Sequence, residues 1–155
     1  MNIKIKDYSE KYFENFFSVV HQTIEEIYPK YYPKSAVDFF HEHHSKENMQ
    51  RLLPDECVLL LMENNKIIGT AACFENEIKR FFILPKHQGK GYGTLLLKEL
   101  EKRVDKSKYD MLILDSSLSA VKFYQGNKYV CKDYKVIRLP DENYLFYLEM
   151  TKSIK

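Results

Sequence analysis

Hydrophobic positions change their spacing along this chain, and each change marks an element. Ile3 and Ile5 alternate with Lys4 and Lys6, the period of two that gives a short strand with one wet face. From Ser9 to Tyr28 the apolar residues Phe13, Phe16, Phe17, Val20, Ile24 and Ile27 follow helical spacing, with Ser9 placed as N-cap. Pro29 and Pro33 bracket Lys30-Tyr31-Tyr32, which breaks the helix and predicts an aromatic loop. A second helical stretch runs from about Ser35 to Leu53, ends at Pro54 and is open to interruption near Ser45. Cys57 to Glu63 and Lys66 to Phe74 are strand-like runs joined by Asn64-Asn65, a tight-turn pair that predicts a hairpin. A turn near Asn76 leads into a further strand, from Glu77 to Leu84. Leu95, Leu96, Leu97, Leu100 and Val104 form one apolar stripe, so Thr94 to Asp105 is expected to be a helix. Met111 to Leu114 reads as a buried strand and Ala120 to Tyr124 as part of a short helix. Tyr129 to Ile137 and Tyr144 to Met150 read as a closing pair of strands. The pattern alone gives a mixed α/β (α+β) chain without repeat or linker.

Composition narrows this picture. With 155 residues, 45% of them hydrophobic, residues 1–155 are expected to form one domain with a core that needs no staples. A formal charge of +2 provides no global basic field, so nucleic acid is not an expected partner. Cys57, Cys73 and Cys131 are odd in number and far apart, which predicts reduced, buried thiols. No zinc spacing occurs, and no metal is expected. Met1 to Asp7 lacks a signal-peptide core, and the apolar runs fall far short of the roughly 18 residues of a membrane span. The expected setting is therefore cytoplasmic, away from membranes.

The densest chemistry lies at Gln88-Gly89-Lys90-Gly91-Tyr92-Gly93-Thr94, between an apolar strand and a Leu-rich helix. Glycines there let backbone N–H groups approach an oxyanion, and the helix start adds unpaired donors and partial positive charge. A plain strand-to-helix turn is the alternative. The spacing is not the phosphate loop that closes on Gly-Lys-Ser/Thr, nor does it follow the first strand as a dinucleotide fingerprint would.

That spacing resembles the acyl-CoA pyrophosphate loop of the GNAT superfamily of N-acyltransferases. Glu77-Ile78-Lys79-Arg80-Phe81-Phe82-Ile83-Leu84-Pro85 looks like that family's fourth strand, and Ser117-Leu118-Ser119-Ala120-Val121-Lys122-Phe123-Tyr124 like its later segment ending in Phe-Tyr. The resemblance covers residues 57 to 130. It implies a mostly antiparallel central sheet of about seven strands flanked by about four helices, with the fourth and fifth strands splayed around a pantetheine arm.

The resemblance also implies roles. Acetyl-CoA would be the cosubstrate, its pyrophosphate on the N–H groups of Gln88, Gly89, Lys90, Gly91, Tyr92, Gly93 and Thr94, with Lys90, Lys86 or His87 offsetting charge. Backbone groups of Phe82, Ile83 and Leu84 would hold the pantetheine as a pseudo-strand, and an N–H at the strand's bend could polarise the thioester. Tyr124 matches a tyrosine that donates a proton to the departing thiolate or positions the thioester; packing on the sheet is the alternative. Ser117 stands where the family often has Asn and either caps the short helix or contacts the carrier. Glu77 matches a position that supplies the base for the amine, directly or through water; simple solvation is the alternative, and Glu75 is its neighbour to compare. Tyr28, Tyr31 and Tyr32 could shape the acceptor pocket or simply stack in a connector. His41, His43 and His44 read as a solvated helix face rather than a metal site. One departure concerns the end of the short helix, where Lys128 precedes Tyr129: either Gly126 caps the helix or Asn127 takes the left-handed position.

The expected partner is a small-molecule primary amine. A protein or peptide N-terminus is the competing acceptor, while a non-catalytic acyl-CoA sensor and a nucleotide-binding domain are the competing functions. Tyr144 to Leu148 could pair edge to edge in a homodimer.

Overall fold

The computed structural model describes residues 1–155. Strand β1 (Ile3–Asp7) is followed by helices α1 (Phe13–Ile27), α2 (Lys34–His43) and α3 (Lys46–Leu52). Strands β2 (Cys57–Glu63), β3 (Lys66–Phe74) and β4 (Glu77–Ile83) come next, then α4 (Tyr92–Glu101), β5 (Met111–Ser116), α5 (Val121–Gly126), β6 (Val130–Arg138) and β7 (Tyr144–Ser153). The expected second helix is thus two, giving five helices. His44 ends α2, and Ser45 starts α3 with a side-chain cap, its Oγ accepting from the Asn48 N–H at 3.3 Å. Ser9 makes no such bond and precedes only a single 3-10 turn, Glu10–Tyr12. No helix is long and apolar enough to cross a membrane.

The seven strands form one sheet in the order β1-β2-β3-β4-β5-β7-β6. All neighbours are antiparallel except β4 and β5, which are parallel and share only two register positions, Glu77 opposite Ile113 and Ile78 opposite Leu114. Past Ile78 the two strands part, which is the splay implied by the resemblance. The β2–β3 hairpin turns at Asn64 and Asn65, with φ of 51° and 67°, a pairing that suits a two-residue hairpin turn.

β2 is buried on both faces. Leu59 and Leu61 join the core under α4 and α5, whereas Val58 and Leu60 join a second core formed with α1, α2 and α3. In β4 the register shifts: Ala72 faces Lys79 and Thr70 faces Phe82, so β4 carries one extra residue at Arg80–Phe81. Arg80 has a positive φ of 45°, and its C=O accepts from Thr70 Oγ1 at 3.1 Å. Its guanidinium is buried against the carboxylate of Glu56, the two side chains each 2% exposed. This pair ties the bulge to the residue before β2.

Two sequence expectations fail here. Cys57 and Cys73 are register partners across β2 and β3, and burial together with Cys57 pushes the Cys73 thiol up to about 12, but Cys131 is exposed on β6. The histidines are not a solvated face: His44 is 7% exposed, its ring edge-on to Phe82. His41 bridges Glu25 Oε2 at 2.8 Å and His21 Nδ1 at 2.7 Å, tying α2 to α1. Only His43 stays exposed, its ring stacked on Phe39.

Candidate active site

Two cavities meet at the splay. The first, about 410 Å³, is lined by Phe81, Phe82 and Ile83 of β4, by Gln88, Gly89, Gly91, Gly93 and Thr94, and by Ser117 and Phe123 across the gap. The second, about 300 Å³, lies between β4, α2 and the β6–β7 ribbon. They share Tyr28, Phe81, Phe82, Ser117 and Ala120.

The glycine run builds the anion-receptive end of the first cavity. Gly89 and Gly91 have φ of 74° and 81°, the left-handed region that a side chain disfavours, and a Cβ on either would meet no protein atom within 4 Å. Gly91 is the N-cap of α4, and the first intrahelical bond runs from the Leu95 N–H to the Gly91 C=O at 3.1 Å. The N–H groups of Tyr92, Gly93 and Thr94 therefore lack helical acceptors and point with the helix dipole. The helix starts two residues earlier than its apolar stripe suggested, because Gly91 can turn the chain there, and ends at Glu101. The Tyr92 ring does not line the cavity; its hydroxyl donates to Glu63 Oε1 at 3.1 Å. His87 is also withdrawn, buried with Nδ1 3.2 Å from Glu63 Oε2, whereas Lys86 and Lys90 remain exposed.

On β4 the cleft-facing backbone differs from the expected trio. The Leu84 N–H donates to the Ile68 C=O at 2.9 Å, and the Leu84 side chain packs in the core, so Leu84 is turned away from the cleft. Two residues back along the antiparallel ladder, Phe82 is opposite Thr70 and turns its own peptide groups toward β3 as well. The groups facing the gap are those of Phe81 and Ile83, with the Ile83 C=O accepting from Gln88 Nε2 at 2.8 Å. Phe82 instead contributes its ring to both cavities.

Tyr124 lies on α5 beside the junction, 5% exposed, ringed by Phe81, Phe123 and Tyr129. Burial, reinforced by Tyr28, raises its phenol well above the usual value of 10, so it stays protonated and keeps a proton to donate. Its backbone is fixed by an unexpected cap. Neither Gly126 nor Asn127 is left-handed; Lys128 is, at φ 72°. The Tyr129 N–H reaches back to the Tyr124 C=O at 3.0 Å and the Lys128 N–H to the Gln125 C=O at 3.0 Å, the paired bonds of a Schellman motif. Ser117 starts the Leu118–Ala120 turn through its C=O, but its hydroxyl bonds Ser119 Oγ at 2.8 Å rather than a helix N–H.

Glu77 lines the far end of the second cavity with Lys79, 3.4 Å away, and Asp115. Glu75 is in the preceding turn at φ 55°, exposed, and lines neither cavity. Of the three connector tyrosines, Tyr28 lines both cavities, beside Ser117; Tyr31 is exposed. The Tyr32 hydroxyl accepts from the Leu118 N–H at 2.8 Å and donates to the Phe146 C=O at 3.1 Å. Phe81 and Phe123, stacked at 5.5 Å across the gap, were not singled out from sequence; the Phe-Tyr pair beside Tyr124 was the available signal. No group of three or more His, Cys, Asp or Glu side chains is arranged to hold a metal ion.

The same layout recurs in solved structures. A GCN5-related N-acetyltransferase from Rhodopseudomonas palustris superposes with a TM-score of 0.89 at 19% identity, over 99% of this chain and 97% of that one. A PaiA N-acetyltransferase from Thermoplasma acidophilum, solved with coenzyme A, gives 0.72 at 22% identity over 99% of both chains. An aminoglycoside 6′-N-acetyltransferase, also solved with coenzyme A, gives 0.67 at 13% identity over 98% and 97%. No curated protein matches in sequence. The sequence profile of the acetyltransferase (GNAT) domain, however, matches residues 5–152, and with the splayed strands and the glycine-started helix on the same stretch, the chain belongs to the GNAT acetyltransferase family.

Proposed function

We propose that the protein transfers an acetyl group from acetyl-CoA to the primary amine of a small molecule, both substrates being bound together. The observation that carries this reading is the junction: an anion-receptive helix start opens on a strand gap, and the gap opens on a second cavity through a shared wall. The coenzyme A complexes of two structural neighbours support the choice of carrier.

In this reading the pyrophosphate lies on the N–H groups at Gly89 to Thr94, with Lys86 and Lys90 free to offset its charge. The carrier's amides pair with Phe81 and Ile83. The amine nitrogen bonds the acyl carbon and the carbon–sulfur bond breaks. Tyr124, held protonated, donates to the leaving sulfur and regains a proton from the second one that the attacking nitrogen sheds as the amide forms. The proton lost by the ammonium goes to Glu77. At about 3.3 Å per residue, Glu77 stands about 13 Å along β4 from Phe81, so water relays that proton.

The test begins with thermal unfolding. Acetyl-CoA or CoA at about 100 times its dissociation constant should stabilise the protein by roughly 2.7 kcal/mol, while ATP and NAD should not. Stabilisation by ATP or NAD alone would overturn the assignment of the carrier. Thiol release with primary amines then separates an enzyme from a sensor, which would bind CoA normally and release none.

A further inference from the structure

Resting on that reading, the second cavity specifies what kind of amine. Seven of its lining residues are aromatic, Tyr28, Phe39, Phe40, Phe82 and Tyr147 among them, and Leu52, Ile137 and Leu145 extend the apolar wall. Its charges cancel locally. Glu77 has Lys79 at 3.4 Å, Asp115 has Lys135 at 3.5 Å, and Arg80 is paired with buried Glu56. Each of the two lining carboxylates, Glu77 and Asp115, already has a lysine within 4 Å.

A bridge also spans the side where a peptide would enter. An open groove between the α1–α2 connection and the last strands would admit a chain, but the Tyr32 hydroxyl joins that connection to Phe146 of β7 and to Leu118. Aromatic faces attract a single ammonium and bury rings and branched chains. Along that wall they offer the hydroxyls of a sugar or the extra charges of a polyamine no partner, the polar part of the lining being confined to His43, His44, Glu77, Lys79, Arg80, Asp115 and Ser117.

We infer that the acceptor is a compact monoamine with an aromatic or branched aliphatic body, as opposed to a polyamine, an amino sugar or a peptide N-terminus. Tyr147 is a specificity-determining wall residue. The variant that tests this is Tyr147→Asp, which puts a carboxylate into the aromatic wall, with Tyr147→Leu as the apolar control.

The experiment compares kcat/KM, at saturating acetyl-CoA, for phenethylamine and isoamylamine against spermidine, glucosamine and a tetrapeptide beginning with Ala. The expected result is at least a tenfold advantage for the first two. Tyr147→Asp should move the phenethylamine-to-spermidine ratio at least tenfold toward spermidine, and Tyr147→Leu should keep the original order. Spermidine, glucosamine or the peptide matching or exceeding the apolar amines overturns the inference, as does an unmoved ratio in a folded Tyr147→Asp protein. If no amine releases thiol, calorimetric titration of phenethylamine and spermidine into the CoA-saturated protein still decides it. Tighter phenethylamine binding keeps the ligand class while overturning acetyl transfer. Tighter spermidine binding, or no phenethylamine binding, overturns the class.

Discussion

Tyr124 and Gly91 divide the proposed labour at the level of single residues. A phenol held protonated by burial contributes its hydrogen bond when the sulfur gathers charge, so Tyr124→Phe should lower kcat by about 100-fold with little change in CoA affinity. Gly91 acts earlier. At φ 81° a Val would strain the backbone by about 1–2 kcal/mol and place its branches in the open space before the α4 donors. Gly91→Val should weaken CoA binding at least about 100-fold, read by calorimetry, and leave a folded protein. Similar affinity losses in both variants would end this division. Much of this was legible in the sequence, since glycine spacing before a Leu-rich run is a backbone signal. His44 was not. Three histidines within four residues of a helix read as polar, and only the packing of α2 against β4 shows which one turns inward against Phe82.

Among the elements, β4 and the α1–α2 connection do most to set the geometry. The bulge at Arg80–Phe81 returns Phe82 to the face of Glu77 and Lys79, which is why its ring reaches the second cavity. Nothing in the run Glu77 to Leu84 reveals an extra residue, because a strand with or without a bulge has the same composition. The expected contacts at Phe82 and Leu84 therefore came out one position off. The Asn64-Asn65 hairpin, by contrast, was read correctly because those residues tolerate the required dihedrals. Tyr32→Phe removes one hydroxyl that serves β7 and the turn before α5. We expect a loss of about 1–3 kcal/mol in urea unfolding and a rise in acceptor KM, with the acetyl-CoA KM nearly unchanged. A matching rise in both KM values would show that the bridge does not act on the acceptor side alone.

For the whole molecule, the buried histidine predicts how stability depends on acidity. Burial holds His44 well below the usual 6.5, with the neighbouring charges of His43 and Arg80 acting in the same direction; burial lowers His21 as well. Below about pH 6.5 the unfolded chain takes up protons that the folded chain refuses. Stability is therefore full above that pH and falls as pH drops, by up to about 1.4 kcal/mol per pH unit for each such group. Urea midpoints from pH 7.5 to 5 should show this decline, and His44→Phe should flatten it. An unchanged slope in that variant would assign the decline elsewhere, to His21 or to the carboxylates.

The parting of β4 and β5 after two register positions also bears on solubility in the cell and the tube. A strand edge with free peptide groups is ordinarily a template for aggregation, and proteins guard such edges with charge or cover. Here the bare edge lies inside the sheet, where the walls of the cleft narrow the access of another chain, yet an extended amide-bearing molecule fits. In the proposed binding mode, loading the cleft completes the ladder and removes the template. The protein should therefore be recovered in higher yield, and stay monodisperse longer on warming, when CoA is present from the first step of purification.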